Sequence, residues 1–161
     1  MAANREDEAM WRVVAEAEAG YVCVHMQGTP QTMQANPTYA DVAREVGDFF
    51  SERLQRMSDC GVGREQTILD PGIGFGKKLE HNLRLLGALR SFTNLERPLL
   101  VGVSRKSFLG ELLGAPLAER LPAALACACL ATEAGAQIIR AHEVEETGRA
   151  IRMTEAIVAS R

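Results

Sequence analysis

Between positions 42 and 57 the apolar residues Val42, Val46, Phe49, Phe50, Leu54 and Met57 recur every three or four residues. That spacing puts them on one face of a helix, which Pro37 opens and Gly61 and Gly63 close. Met10, Val13, Val14 and Ala17 predict a helix near 6–19, and Leu83, Leu85, Leu86 and Leu89 predict another over 82–92. A helical stretch follows Lys106. An alanine-rich helix over 119–134 is capped by Gly135, and a last helix covers 144–160. Four short apolar runs lie between these segments, at 21–26, 67–69, 99–103 and 137–141, and each reads as a strand. The last three lack polar alternation, as expected of strands covered on both faces.

Strands separated by helices imply an α/β fold with a parallel sheet and right-handed crossovers. Every strand ends in polar residues: His25 and Gln27; Asp70; Ser104, Arg105 and Lys106; Arg140 and His142. Parallel strands bring these groups to one edge, where barrel and doubly wound enzymes build their sites.

Composition narrows the function classes. A chain of 161 residues fits a single domain over 1–161 with a real core. Its net charge of −3, without a basic stripe, argues against nucleic-acid binding. No apolar run approaches the ~20 residues of a membrane span. The opening MAANREDEAMW is acidic and polar, unlike a signal peptide, so a cytoplasmic location is expected. Four cysteines without a CxxC pair are expected to be reduced thiols, with Cys127 and Cys129 on different helix faces.

Three segments carry candidate chemistry. In TILDPGIGFGK, over 67–77, a strand delivers Asp70 to the rim and three glycines let backbone approach a ligand. An ordinary Asp-Pro-Gly turn would use the same letters. In VGVSRKSFLG, over 101–110, Gly102 keeps the strand end open, Arg105 and Lys106 supply two cations, and Ser107 adds a hydroxyl at a helix start. A solvated basic turn is the plainer reading. In IIRAHEV, over 138–144, Arg140 and His142 stand two apart along a strand end and would share a side, making an anion site beside a helix N-terminus. A helix-capping histidine is the alternative. His25 reads as structural and His81 as a surface residue. No His/Cys/carboxylate cluster has metal-ligand spacing. Ser107 has no evident base, and the GxGxG of Gly72, Gly74 and Gly76 lacks the dinucleotide fingerprint.

Together, HMQGTPQTMQ, LDPGIGFGK, LLVGVSRKSFLG and IIRAHEVEET resemble the dihydropteroate synthase family of pterin-binding barrels, in order and roughly in spacing, from about Val13 onward. The resemblance implies condensation of 6-hydroxymethyl-7,8-dihydropterin diphosphate with 4-aminobenzoate, giving 7,8-dihydropteroate and diphosphate in folate biosynthesis. It also implies a sulfonamide target. Asp70 then resembles the aspartate that holds the pterin ring, Lys106 the lysine at the pterin carbonyl, and Gly102 a residue along the pterin pocket. Gly74, Phe75 and Ser107 resemble the aminobenzoate wall, and Arg140 and His142 the pair holding diphosphate. Lys106, Arg140 and His142 are the implied catalytic groups. Magnesium is the implied cofactor, although the family's asparagine ligand has no counterpart in this chain.

A barrel of this kind needs ~250 residues. The four strands match the family's second half, so the expected fold is the C-terminal half of a (β/α)8 TIM barrel with flanking helices. Such a half is expected to be inactive or weak alone, and to form a homodimer or to associate with an N-terminal half. Two other readings stay open: a non-catalytic or complementing pterin-binding half-barrel, and a methyltetrahydrofolate-dependent methyltransferase domain. The Arg140–His142 pair disfavours the latter, because a methyl donor has no diphosphate to hold.

Overall fold

The computed structural model describes residues 8–161. Strand β1 (Tyr21–Val24) follows helix α1 (Glu8–Glu16) and pairs in parallel with β2 (Thr67–Asp70); β3 (Leu100–Val101) pairs in parallel with β4 (Ile138–Ile139). A parallel bridge from Leu69 to Leu99, with Leu69 N–H donating to Pro98 O at 2.9 Å, joins the two pairs in the order β1-β2-β3-β4. Pro98 has no N–H to give, which keeps this junction thin.

The strands are shorter than the apolar runs predicted. β1 stops at Val24 rather than residue 26, although His25 N–H still donates to Asp70 O at 2.9 Å. At the start of β4 a side chain replaces a ladder bond, since Gln137 Oε1 accepts the Leu99 N–H at 2.8 Å. β3 and β4 pair over two residues each. Residues 6 and 7 of the first expected helix lie outside the described residues.

Helix α2 (Val42–Asp59) starts five residues after Pro37. Asp41 caps it by accepting from the N–H groups of Ala43 (3.1 Å) and Arg44 (3.2 Å), an arrangement worth about 1 kcal/mol. Before the cap, Gln27 bonds the backbone of Thr38 through both amide atoms, at 2.9 and 3.0 Å, and anchors the approach to the helix. Val42, Val46, Phe50 and Met57 of the predicted face are buried against the sheet core of Leu69, Leu99 and Val101.

The predicted helix over 82–92 is two helices, α3 (Leu79–Gly87) and α4 (Leu89–Phe92), separated at Ala88. The Lys106 stretch becomes α5 (Ser107–Leu113). The alanine-rich segment becomes α6 (Leu121–Glu133), which packs on α7 (Val144–Ala159). Ala124, Ala128 and Ala131 are buried on α6, while the Cys129 thiol reaches Ala150 O of α7. No helix among the described residues is long and apolar enough to cross a membrane.

Candidate functional site

Asp70 ends β2 and is 1% exposed. Its Oδ1 accepts the Gly72 N–H at 2.8 Å, and its Oδ2 accepts from Arg140 Nη2 at 3.1 Å. Burial lifts the carboxyl above its usual range, opposed by the Gly72 N–H, Arg140 and Lys106. The chain then turns at Gly72 with φ +67°, where a Cβ would collide with the His25 carbonyl. Only glycine suits that position, and the turn aims its N–H back at Asp70.

The rest of the loop is held by groups that charge patterning does not reveal. Asn82, 1% exposed on α3, accepts the Gly74 N–H at 2.7 Å and donates to Lys78 O at 2.9 Å. Lys77 is 4% exposed; its Nζ donates to Phe75 O (3.0 Å) and Gly72 O (3.1 Å) and lies 3.0 Å from His25 Nδ1. Burial lowers the Lys77 pKa to about 7, with Asp70 opposing. Burial, and then Lys77, lowers His25 to about 3. His25 is thus a neutral buried ring, in keeping with a structural part. In the sequence Lys77 reads as one of two adjacent lysines in a loop. The one available hint was His25, a ring nitrogen on a buried strand end needing a partner.

Phe75 and Lys106 form the opposite wall. Lys106 Nζ lies 3.7 Å from the Phe75 ring centre, a cation–π contact. Burial and the nearby Arg140 lower the Lys106 pKa, with Asp70 opposing. The Lys106 stem also closes over Gly74, where a Cβ would lie 2.9 Å from its Cδ. Gly102 is buried beneath the Arg140 guanidinium, which an added Cβ would meet at 3.0 Å. Ser107 is exposed at the first position of α5.

Arg140 and His142 have different partners in this structure. Arg140 turns back to Asp70, whereas His142 Nδ1 sits 2.8 Å from Ser104 Oγ. The expected pair of rim cations is also revised. Arg105 has φ +60° and places Nε and Nη2 on Glu143 Oε1, at 2.8 and 2.5 Å, so its charge is matched and Lys106 is the cation facing Asp70 and Phe75. His81 is half-buried, not simply a surface residue; its ring packs edge-on against Tyr39 at 4.9 Å.

These groups make a ledge at the carboxyl ends of the strands: a buried acceptor for a planar donor edge, an aromatic wall, and cations for an anion. Among the described residues no three His, Cys, Asp or Glu side chains are grouped to hold a metal ion. Asp70 already accepts from Gly72 and Arg140. These residues do not fit a magnesium site.

A sequence profile of the family described as pterin binding enzyme matches residues 1–142. The dihydropteroate synthase of Escherichia coli (strain K12) is 49% identical over 149 residues, which cover 91% of this chain and 53% of that protein. The crystal structure of the Yersinia pestis dihydropteroate synthase with a sulfonamide drug complex is similar at a TM-score of 0.93 and 39% identity, over 97% of this chain and 57% of that one. The Thermus thermophilus dihydropteroate synthase in complex with 4-aminobenzoate matches at a TM-score of 0.88 and 38% identity, over 94% of this chain and 62% of that one. The chain spans about half the length of the curated relatives it matches.

Proposed function

The chain belongs to the pterin-binding enzyme family, and we propose that it carries one half of a dihydropteroate synthase site. In this reading 1–161 is a single domain and its four parallel strands are half of an eight-stranded barrel. A groove of about 610 Å³ beside β4, lined by Ile139, Ile151 and Val158, supports a missing neighbour on that flank. The isolated chain is then weak or inactive, and the ledge is completed by an N-terminal half or a second copy.

The observation that carries the reading is the buried Asp70 carboxylate with Arg140 on it and the Lys106–Phe75 wall beside it. A pterin presents an amino group and a ring N–H side by side, the same donor edge as a guanidinium. The pterin therefore replaces Arg140 on Asp70. Arg140, already 44% exposed, swings outward to the diphosphate. Lys106 meets the pterin carbonyl, and Gly102 leaves room for the ring. Gly74, Phe75 and Ser107 border the aminobenzoate.

The reaction is substitution at the pterin methylene. The C–O bond breaks, and diphosphate leaves with the electron pair, its charge met by Arg140 and His142. The electron-rich pterin stabilises the methylene cation. The aromatic amine then forms the C–N bond and loses a proton. The protein contributes orientation and electrostatic stabilisation rather than a covalent intermediate.

Calorimetry with Arg140→Ala tests the assignment. Losing the guanidinium removes most of the affinity that the diphosphate adds, while the pterin without diphosphate binds as well or better, because Asp70 no longer has to release Arg140. Equal losses for both ligands would refute the exchange. No loss for either would remove Arg140 from the site.

A further inference from the structure

Beside the ledge, Ser104 Oγ makes three contacts. It lies 2.8 Å from His142 Nδ1 and 3.0 Å from Glu143 Oε2, and it accepts the His142 backbone N–H at 3.2 Å. A serine hydroxyl has one proton and two lone pairs. Glu143 is anionic, since Arg105 and Ser104 hold its carboxyl below the usual range, so it can only accept. The hydroxyl proton therefore goes to Glu143. One lone pair takes the His142 N–H, and the other can only receive a proton from Nδ1.

We infer that Glu143 and Ser104 are positioning residues that fix His142 as its Nδ1–H tautomer and leave Nε2 free. Glu143 is well placed for this. It stands at the N-terminal cap of α7 but makes no side-chain capping bond there, turning instead to Ser104 and Arg105. His142 is exposed, so Nε2 is open to a ligand. A neutral ring then offers only a lone pair at Nε2, which opposes an anionic oxygen; a second proton turns it into a charged donor. The part played toward diphosphate rests on the synthase reading. The tautomer does not.

Nitrogen-15 NMR of the three histidines, with His142 assigned by the signals lost in His142→Asn, reads the ring directly. At a pH where the ring is neutral, Nδ1 is expected to be pyrrole-like and Nε2 pyridine-like. Ser104→Ala should move the population toward the Nε2–H form, and Ser104→Thr, which keeps the hydroxyl, should restore it. A neutral Nε2–H ring in the wild type, or an unchanged tautomer in Ser104→Ala, overturns the relay. Titration with inorganic diphosphate supplies the second arm. With the ring neutral, Ser104→Ala lets Nε2 carry the proton and donate, so it is expected to tighten binding about tenfold, the gain of one hydrogen bond to a charged group, with reversal in Ser104→Thr. An intact tautomer with no diphosphate binding leaves the relay standing and removes the anion-site reading.

Discussion

Replacing Lys77 with methionine isolates the cation buried under the site loop. In the folded chain the Lys77 pKa is lowered from 10.5 to about 7, chiefly by burial. Between those values the unfolded chain holds a proton that the folded chain has released. The unfolded state binds more protons there, so the unfolding free energy rises with pH, by up to about 1.4 kcal/mol per unit. From pH 7.5 to 9.5 the wild type should gain roughly 2–3 kcal/mol that Lys77→Met cannot gain. Near pH 7 the variant is relieved of burying a charge but strands the carbonyls of Gly72 and Phe75, each costing about 1–3 kcal/mol, so the effects largely offset. At higher pH only the loss remains. Cys23, pushed up to about 12 by burial, makes the wild type less stable as pH rises through its unfolded value. It does so equally in the variant, so it cancels from the difference. Urea titrations followed by the single tryptophan, the buried Trp11, give both curves. Parallel stability-versus-pH curves for the two proteins would refute the buried-lysine account.

Three further outcomes follow from the same loop. Gly74→Ala forces a Cβ toward the Lys106 stem at a residue with φ +80°; it should cost about 1–3 kcal/mol of stability by chemical denaturation and weaken aminobenzoate binding. Asp70→Asn removes an ion pair whose arginine is 44% exposed, so unfolding free energy should move by less than about 1 kcal/mol. Pterin affinity should nevertheless fall about 10- to 100-fold, since one side of the paired acceptor becomes a donor; unchanged calorimetric affinity would remove Asp70 as the anchor. His25, lowered from 6.5 to about 3, takes a proton in the unfolded chain first, so stability should fall as pH drops below 6.5. His25→Gln should flatten that acid slope in urea titrations.

How far the sequence reached depended on whether a signal was local. The α2 face was legible because Val42, Val46, Phe50 and Met57 repeat within one element. Asp70, Lys106, Arg140 and His142 were legible as strand-end residues, because parallel topology gathers strand ends whatever their partners. Their pairings were not. Asp70 meets Arg140 seventy residues away, and Ser104 meets His142 thirty-eight residues away. Spacing along the chain carries no information at that range. Strand length misled for a related reason: an apolar run reports burial, not pairing, and at the start of the β3–β4 ladder the Gln137 side chain takes the Leu99 N–H. Lys77 shows the sharper limit. A charge in a loop is read as solvated because a lysine is seldom fully buried without compensation. Here the compensation is a ring nitrogen on β1's end and two carbonyls that exist only once the glycine loop has turned. The loop makes the site for Lys77, and Lys77 holds the loop that carries Gly72 N–H to Asp70. Its burial is a property of the folded loop, and a change at Lys77 should therefore be felt at Asp70 without touching it.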